Sequence, residues 1–291
     1  VTAPSSLPAQ ASVPLPDPLP APVIDSHCHL DIAREPDTPA LPIGEALALA
    51  RSVNVVQVVQ VGCDLPAARR AVDWARDYPA VHAAVSLHPT EATETGRRGG
   101  AALDDALEQI TALAADPAVV GVGETGLDHY WTTDREGRAW QERSFREHIR
   151  LARSLDKTLV IHDRDAHDDV VAVLEDEGPP ERVVFHCFSG GTAMARHCAR
   201  NGWYLSFAGP LTFRNADGLR DAARAAAEQS GLDLLLVETD APYLTPHPHR
   251  GQVNSSYLVP WTVRALAQVV GVDVATVCDS TREATRRAFR L

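Results

Sequence analysis

Basic charge is scarce in this chain. Lys and Arg number 27 against 39 Asp and Glu, a formal net charge of −12, and Lys157 is the only lysine. Such a chain lacks the broad positive footprint of a protein that grips nucleic acid along its length. A local phosphate site remains open to it, because a bound cation supplies positive charge where side chains do not. Cysteine is sparse too: five residues, at 28, 63, 187, 198 and 278, an odd number with no CxxC pair. That speaks against a disulfide framework and fits a reducing, cytoplasmic setting. No apolar run approaches the ~18 residues of a membrane span, so no membrane partner is expected. Aromatic residues make up 5% of the chain, too few for an extended stacking platform. No GxGxxG follows the first apolar run, so the dinucleotide-binding fingerprint is missing. The first residues have no basic stretch ahead of a continuous apolar one, and a secretory signal is not expected.

What the chain does have is proline at its start and alternation after it. Prolines at 14, 16, 18, 20 and 22 block regular structure and favour an extended tail. Residues 1–21 read as a disordered Pro/Ala-rich tail and residues 22–291 as one domain. Short β-branched runs then alternate with longer amphipathic ones. Expected strands are Val23–His29, Val55–Gly62, Val81–Leu87, Val119–Glu124, Thr158–His162, Val183–His186, Trp203–Phe207 and Leu234–Glu238. VVQVVQV and LLLVE read as strands buried on both faces, as in a parallel sheet. Expected helices are Glu45–Ser52, Ala67–Asp77, Ala102–Ala114, Gly137–Leu155, Ala166–Glu177, Ala193–Asn201, Asp217–Gln229, Val259–Val270 and Val274–Arg290. Gly96-Arg97-Arg98-Gly99-Gly100 reads as a mobile loop. Eight strands alternating with helices predict an α/β fold, a single-domain (β/α)8 TIM barrel, with an open doubly wound sheet as the alternative.

Metal-ligating residue types fall where these strands end. His27 and His29 close the first strand; with one residue between them, both imidazoles point the same way and Cys28 points into packing. Glu124 closes the fourth strand, His162 the fifth and His186 the sixth, and Asp240 follows the eighth. In a barrel these positions converge on one mouth. Four imidazoles and two carboxylates exceed what one catalytic cation takes from protein, and suit two divalent ions bridged by a carboxylate, for which Glu124 is placed. The mixed N/O set without thiolate admits Mg, Mn, Zn or Fe.

At this point the chain resembles the TatD-type metal-dependent deoxyribonucleases of the amidohydrolase superfamily. The resemblance runs over residues 23–291, through DSHCHLD (25–31), LHP (87–89), GETGLDHY (123–130), IHDRDAHDD (161–169), HCFSG (186–190), YLSFAGPLTF (204–213) and ETDAPYL followed by PHRG (238–251). It implies a (β/α)8 barrel, a divalent-metal site and deoxyribonuclease activity, and it places the family's metal ligands on His27, His29, Glu124, His162, His186 and Asp240. The chain departs from the family pattern at Ser86, His148, Ser256 and Ala284, where Gly, Gln, Pro and Asn are usual.

The expected chemistry is phosphodiester hydrolysis by a metal-activated water, with Asp240 as general base. His88, Arg164, Ser189 and Arg250 are candidates for phosphate or leaving-group contacts. For the two arginines a structural ion pair is the competing expectation, and for His88 a role behind the ligands. Asp163 and Asp165 are expected to cap the following helix. His129 and His167 read as ordinary loop or helix residues. Phe188 and Tyr243 are candidates for stacking on bases, which favours single-stranded DNA or duplex ends as substrate. The main alternative is an amidase, lactonase or phosphotriesterase on the same scaffold. A metal-binding adaptor with a dead site is a third reading, opposed by the complete ligand set.

Overall fold

Each β-branched run becomes one strand of a single eight-stranded parallel sheet, in the order in which the runs occur. The computed structural model describes residues 13–33 and 40–291. The strands are β1 (Val23–Cys28), β2 (Val55–Gly62), β3 (Val81–Val85), β4 (Val119–Asp128), β5 (Thr158–Arg164), β6 (Val183–Phe185), β7 (Tyr204–Phe207) and β8 (Leu235–Val237). The sheet curls until β1 meets the segment after β8. There Cys28 pairs with Ala241, Asp240 N donates to His27 O at 3.0 Å, and His29 N donates to Ala241 O at 2.7 Å. The result is the expected (β/α)8 TIM barrel. Its helices are α1 (Ile43–Ser52), α2 (Leu65–Asp77), α3 (Pro89–Arg97), α4 (Gly100–Ala114), α5 (Arg135–Ser154), α6 (His167–Glu177), α7 (Thr192–Arg200), α8 (Asp217–Ser230), α9 (Val259–Val270) and α10 (Val274–Phe289). No single helix among the described residues is long and apolar enough to cross a membrane.

Side chains from the strands fill the barrel: Val59, Val61, Ala84, Val160, Val184, Tyr204 and Leu236 form one buried cluster with Ala284, Ala288 and Phe289 of α10. The C-terminal helix therefore closes the end of the barrel where the strands begin. Thr158 Oγ1, at the start of β5, donates to Ala288 O there. The larger apolar cluster lies between strands and helices. With one end plugged, only the mouth at the strand C-termini is left for chemistry.

Four expectations need correction. The β4–β5 ladder does not stop at Glu124 and His162. It shifts register between Gly123 and Thr125 and resumes, pairing Leu127 with Asp163 and Asp128 with Arg164. Gly126, at φ 142°, permits this, because a Cβ there would lie 2.1 Å from His162 O. Secondly, the tail does not extend to residue 21. Val13 and Leu19 are buried, Tyr257 Oη donates to Val13 O at 2.8 Å, and Asn54 Nδ2 donates to Leu19 O at 2.6 Å. Alternate prolines stiffen this stretch into an extended strap, and its Val and Leu side chains anchor it. Residues 1–12 lie outside the described residues. Thirdly, Gly96–Gly100 is not a loop. It spans the end of α3, a turn and the start of α4, with Gly96 buried where a Cβ would lie 2.4 Å from the Trp140 ring. Finally, neither Asp163 nor Asp165 caps α6; its N-cap is Ala166, without a side-chain cap bond.

Candidate metal centre

The closed barrel brings together six side chains whose positions span residues 27 to 240. His27 Nε2 and His29 Nε2 lie 3.2 Å apart at the end of β1. Both face one oxygen of Glu124: Oε1 is 3.5 Å from His27 Nε2 and 3.3 Å from His29 Nε2. The other oxygen, Oε2, is 3.0 Å from His162 Nδ1 and 2.7 Å from His186 Nε2. Asp240 Oδ1 approaches the first pair, 3.4 Å from His29 Nε2 and 3.9 Å from His27 Nε2. The His27 and His186 rings stack at 3.9 Å. Donor atoms lie within 4.8 Å of one another in each of three sets, His27–His29–Glu124, Glu124–His162–His186 and His27–His186–Asp240.

Three of the imidazoles have their other nitrogen held by a fixed acceptor. His29 Nδ1 is 3.0 Å from Val61 O, His162 Nε2 is 3.1 Å from Asp128 Oδ2, and His186 Nδ1 is 3.2 Å from Glu238 Oε1. With a proton shared with those acceptors, the other nitrogen of each ring faces Glu124, donating to the carboxylate while protonated and offering a lone pair once that proton is lost. Lone pairs converging on a carboxylate are a donor set that fits a divalent cation, and the absence of thiolate agrees with the Mg, Mn, Zn or Fe class. Cys63 is adjacent, its Sγ 3.2 Å from Glu124 Oε1, but burial pushes its thiol up to about 12.

Asp128 and Glu238 are positions beside the cluster that the strand ends alone did not reveal. Each lies in a motif visible in the sequence, Asp128 in GLD and Glu238 in ETD, but only the ladder past Glu124 and the turn after β8 place them against His162 and His186. Glu238 is fully buried and also accepts from Cys187 N at 2.7 Å. Asp25 was missed as well. Its carboxylate accepts from Thr239 N at 2.9 Å and Thr239 Oγ1 at 2.6 Å, tying β1 to the segment that carries Asp240, and burial pushes it up to about 7. Two departures from the family pattern act locally. Ser86 Oγ donates to Glu124 O at 2.6 Å, and His148 Nε2 accepts from Leu87 N at 3.2 Å. Ser256 and Ala284 are both buried, Ala284 in the plug of the barrel.

The electrostatics follow from this crowding. Burial disfavours charge on every group. For His186 it is outweighed by Glu124 and Glu238, and for His162 by bonds to Asp128 and Glu124, so both imidazoles sit above their ordinary value. His27 lies below it, through burial and the stacked His186. Glu124 and Asp240 are held below the carboxylate range although burial opposes this: His186 and His27 do so for Glu124, and the His29 bond and His186 do so for Asp240. Both carboxylates are thus ionised and ready to meet a cation. Asp240, at φ 54°, has the more accessible carboxylate of the two, 14% exposed against 5%.

The candidate substrate contacts surround this cluster unevenly. His88 caps α3, its Nδ1 accepting from Thr90 N at 3.2 Å, and its Nε2 lies 3.4 Å from His162 Nδ1. Burial lowers it to about 3, so a neutral ring presents Nε2–H to the centre. Arg164 stands over Tyr130 at 4.0 Å and Arg250 over Phe213 at 4.5 Å. Among the described residues neither arginine forms the expected competing ion pair. Ser189 is exposed, its Oγ 3.4 Å from Asp163 O. Phe188 is buried, packed edge-on against Phe207, which corrects its assignment as a stacking residue, whereas Tyr243 is exposed with its ring 6.4 Å from His29. His167 binds Asp163 Oδ2 at 2.7 Å, and His129 lies 3.6 Å from Asp169.

Comparison with known proteins bears on what this geometry serves. The sequence pattern of the family described as TatD related DNase matches residues 24–290. An uncharacterized metal-dependent hydrolase, TatD, of Mycobacterium tuberculosis is 44% identical over 277 residues, covering 92% of this chain and 98% of that protein. Another, YabD of Bacillus subtilis, is 35% identical over 271 residues, covering 92% and 99%. Among solved structures, the TatD homologue YjjV of Escherichia coli superposes with a TM-score of 0.80 at 25% identity, covering 92% of this chain and 98% of that one.

Proposed function

Because the chain belongs to the TatD-related DNase family of metal-dependent hydrolases, we propose that it hydrolyses DNA phosphodiester bonds with two divalent cations bound at the barrel mouth. The observation that carries this reading is the division of Glu124, with His27 and His29 on one oxygen and His162 and His186 on the other. Glu124, His27, His29 and Asp240 would hold one cation, and Glu124, His162 and His186 the other. Divalent cations at such a site supply Lewis-acid activation of water and of the phosphoryl oxygen. Asp240, ionised and the more exposed of the two carboxylates, accepts the proton of the attacking water. His88 donates Nε2–H towards the phosphate or the leaving oxygen. Arg164 and Arg250 bring guanidinium charge to an otherwise acidic chain, and their planar forks suit phosphate oxygens. Ser189 adds a hydroxyl at the rim.

The relatives are known only as metal-dependent hydrolases, so the substrate rests on the family pattern and on this chemistry. A carbamylated-lysine bridge, as in some small-molecule hydrolases of this scaffold, has no support. Lys157 is held by Ala114 O and, at 2.7 Å, by Asp116 O, at the opposite end of the barrel. The test is metal-stripped protein reloaded with Mg, Mn, Zn or Fe and offered end-labelled oligonucleotides, a phosphotriester, a lactone and an acyl amide. Oligonucleotide cleavage is expected with at least one metal, and Asp240→Asn should lower kcat by about 10²–10⁴. Turnover confined to the lactone or amide would overturn the DNA reading.

A further inference from the structure

The barrel leaves four large hydrophobic side chains exposed among the described residues, and three of them stand at the mouth: Tyr130 at 51%, Trp131 at 66% and Tyr243 at 41%. A lone exposed aromatic needs no explanation, but three around one cleft mark a binding surface. Their order relative to the centre is set by the bonds already described. Tyr243 lies beside His29, which faces Glu124 Oε1; Glu124 Oε2 faces His162; His162 bonds Asp128 Oδ2; and Asp128 Oδ1 accepts from Trp131 N at 2.8 Å. The two aromatic groups therefore flank the cluster at opposite ends of the Glu124 carboxylate.

Arg164 joins the second flank. It follows His162 by two residues on β5, so it shares that residue's face of the strand roughly 6.6 Å further out of the barrel. Its guanidinium lies 4.0 Å from the Tyr130 ring centre and 5.6 Å from that of Trp131, and the two rings meet edge to face at 4.9 Å. Among the described residues no carboxylate pairs with it. A guanidinium stacked on a ring keeps its N–H edges free for a phosphate, and an exposed indole offers a π-face that any base can cover.

We propose that Trp131, Tyr130 and Arg164 form a step at the mouth that holds an unpaired DNA base and its phosphate beside the reacting diester, with Tyr243 receiving the base on the other side of that diester. The proposal rests on the DNA reading above and narrows it to strands whose bases are free. A base inside a duplex has both faces covered by its neighbours and cannot enter the step, so blunt duplex is a poor substrate until its end opens.

The experiment compares metal-loaded wild type, Trp131→Ala, Tyr130→Ala, the double variant and Trp131→Phe. Substrates are a single-stranded oligonucleotide and the same strand with abasic residues at its reacting end. The alanine variants should raise KM for the intact strand about tenfold or more, Trp131→Ala should leave kcat/KM for the abasic strand unchanged, and Trp131→Phe should restore most of the loss. Trp131 is the one exposed tryptophan among the described residues. Titrating the intact strand into Asp240→Asn protein should therefore quench tryptophan fluorescence, and the abasic strand should not. An equal loss on the abasic strand in Trp131→Ala, or unchanged oligonucleotide kinetics in the double variant, overturns the step. Wild type that hydrolyses a small ester and leaves every oligonucleotide intact overturns the DNA reading and the step together.

Discussion

Glu238 is the clearest case, at the scale of single residues, of a group that serves the site without facing substrate. It is buried, it holds His186 Nδ1, and among the described residues its Oε2 has no hydrogen-bond partner. A buried carboxylate behind an imidazole raises the basicity of the ligand nitrogen and fixes the ring. Glu238→Gln keeps the shape and removes the charge. Metal affinity should fall about 10- to 100-fold, as read by titrating metal-stripped protein against a chelating dye; unaltered affinity would show that His186 needs no charged support. The six proposed ligands were legible in the sequence because their residue types are distinctive and each ends an apolar run. Glu238 was not, because Glu-Thr-Asp offers two carboxylates of the same strand parity, and only the turn after β8 decides which one reaches which imidazole.

Among the elements, β4, β5 and α5 do most to position the site. The β4–β5 ladder carries Asp128 to His162, and α5 supports the end of β3 through His148. That imidazole accepts from Leu87 N, lies 2.7 Å from Ser144 O through Nδ1, and burial lowers it to about 4. It is neutral in the folded protein, whereas in the unfolded chain it takes a proton below about 6.5. Its stabilising contribution is therefore full above pH 6.5 and is lost as pH falls towards 4, about 3 kcal/mol in all. His148→Gln should flatten this loss. Between pH 7 and 4.5 the wild type should lose about 2 kcal/mol more than the variant, measured by urea unfolding; parallel pH curves would refute it. Strand and helix order was legible from periodicity, but α3 was not. Its buried face is Pro89, Ala92, Thr93, Thr95 and Gly96, small residues that leave no hydrophobic stripe, and their burial depends on Trp140 arriving from α5.

For the whole molecule, the question is how the barrel is closed. The α10 end plugs the barrel floor, and the strap of residues 13–21 ties to Asn54, Tyr257 and Arg264 on its outside. Phe289→Ala removes the largest side chain of that plug and should cost about 3–5 kcal/mol, lowering Tm by on the order of 10 °C. Because the plug lies at the opposite end from the ligands, activity per folded molecule should hold at low temperature. A loss of kcat without a loss of Tm would mean that the floor communicates with the mouth.

The order of strands and helices, the barrel, and the residue types at each strand end can be read from the chain alone, because periodicity and strand termini are local properties. Folding is needed to show which imidazole nitrogens face Glu124, how its two oxygens are shared, that Arg164 stacks on Tyr130, and that residues 13–21 belong to the fold. Each of these is a contact between residues far apart in the chain, as between His27 and Asp240, and it comes into being only when the eight strands close into a ring.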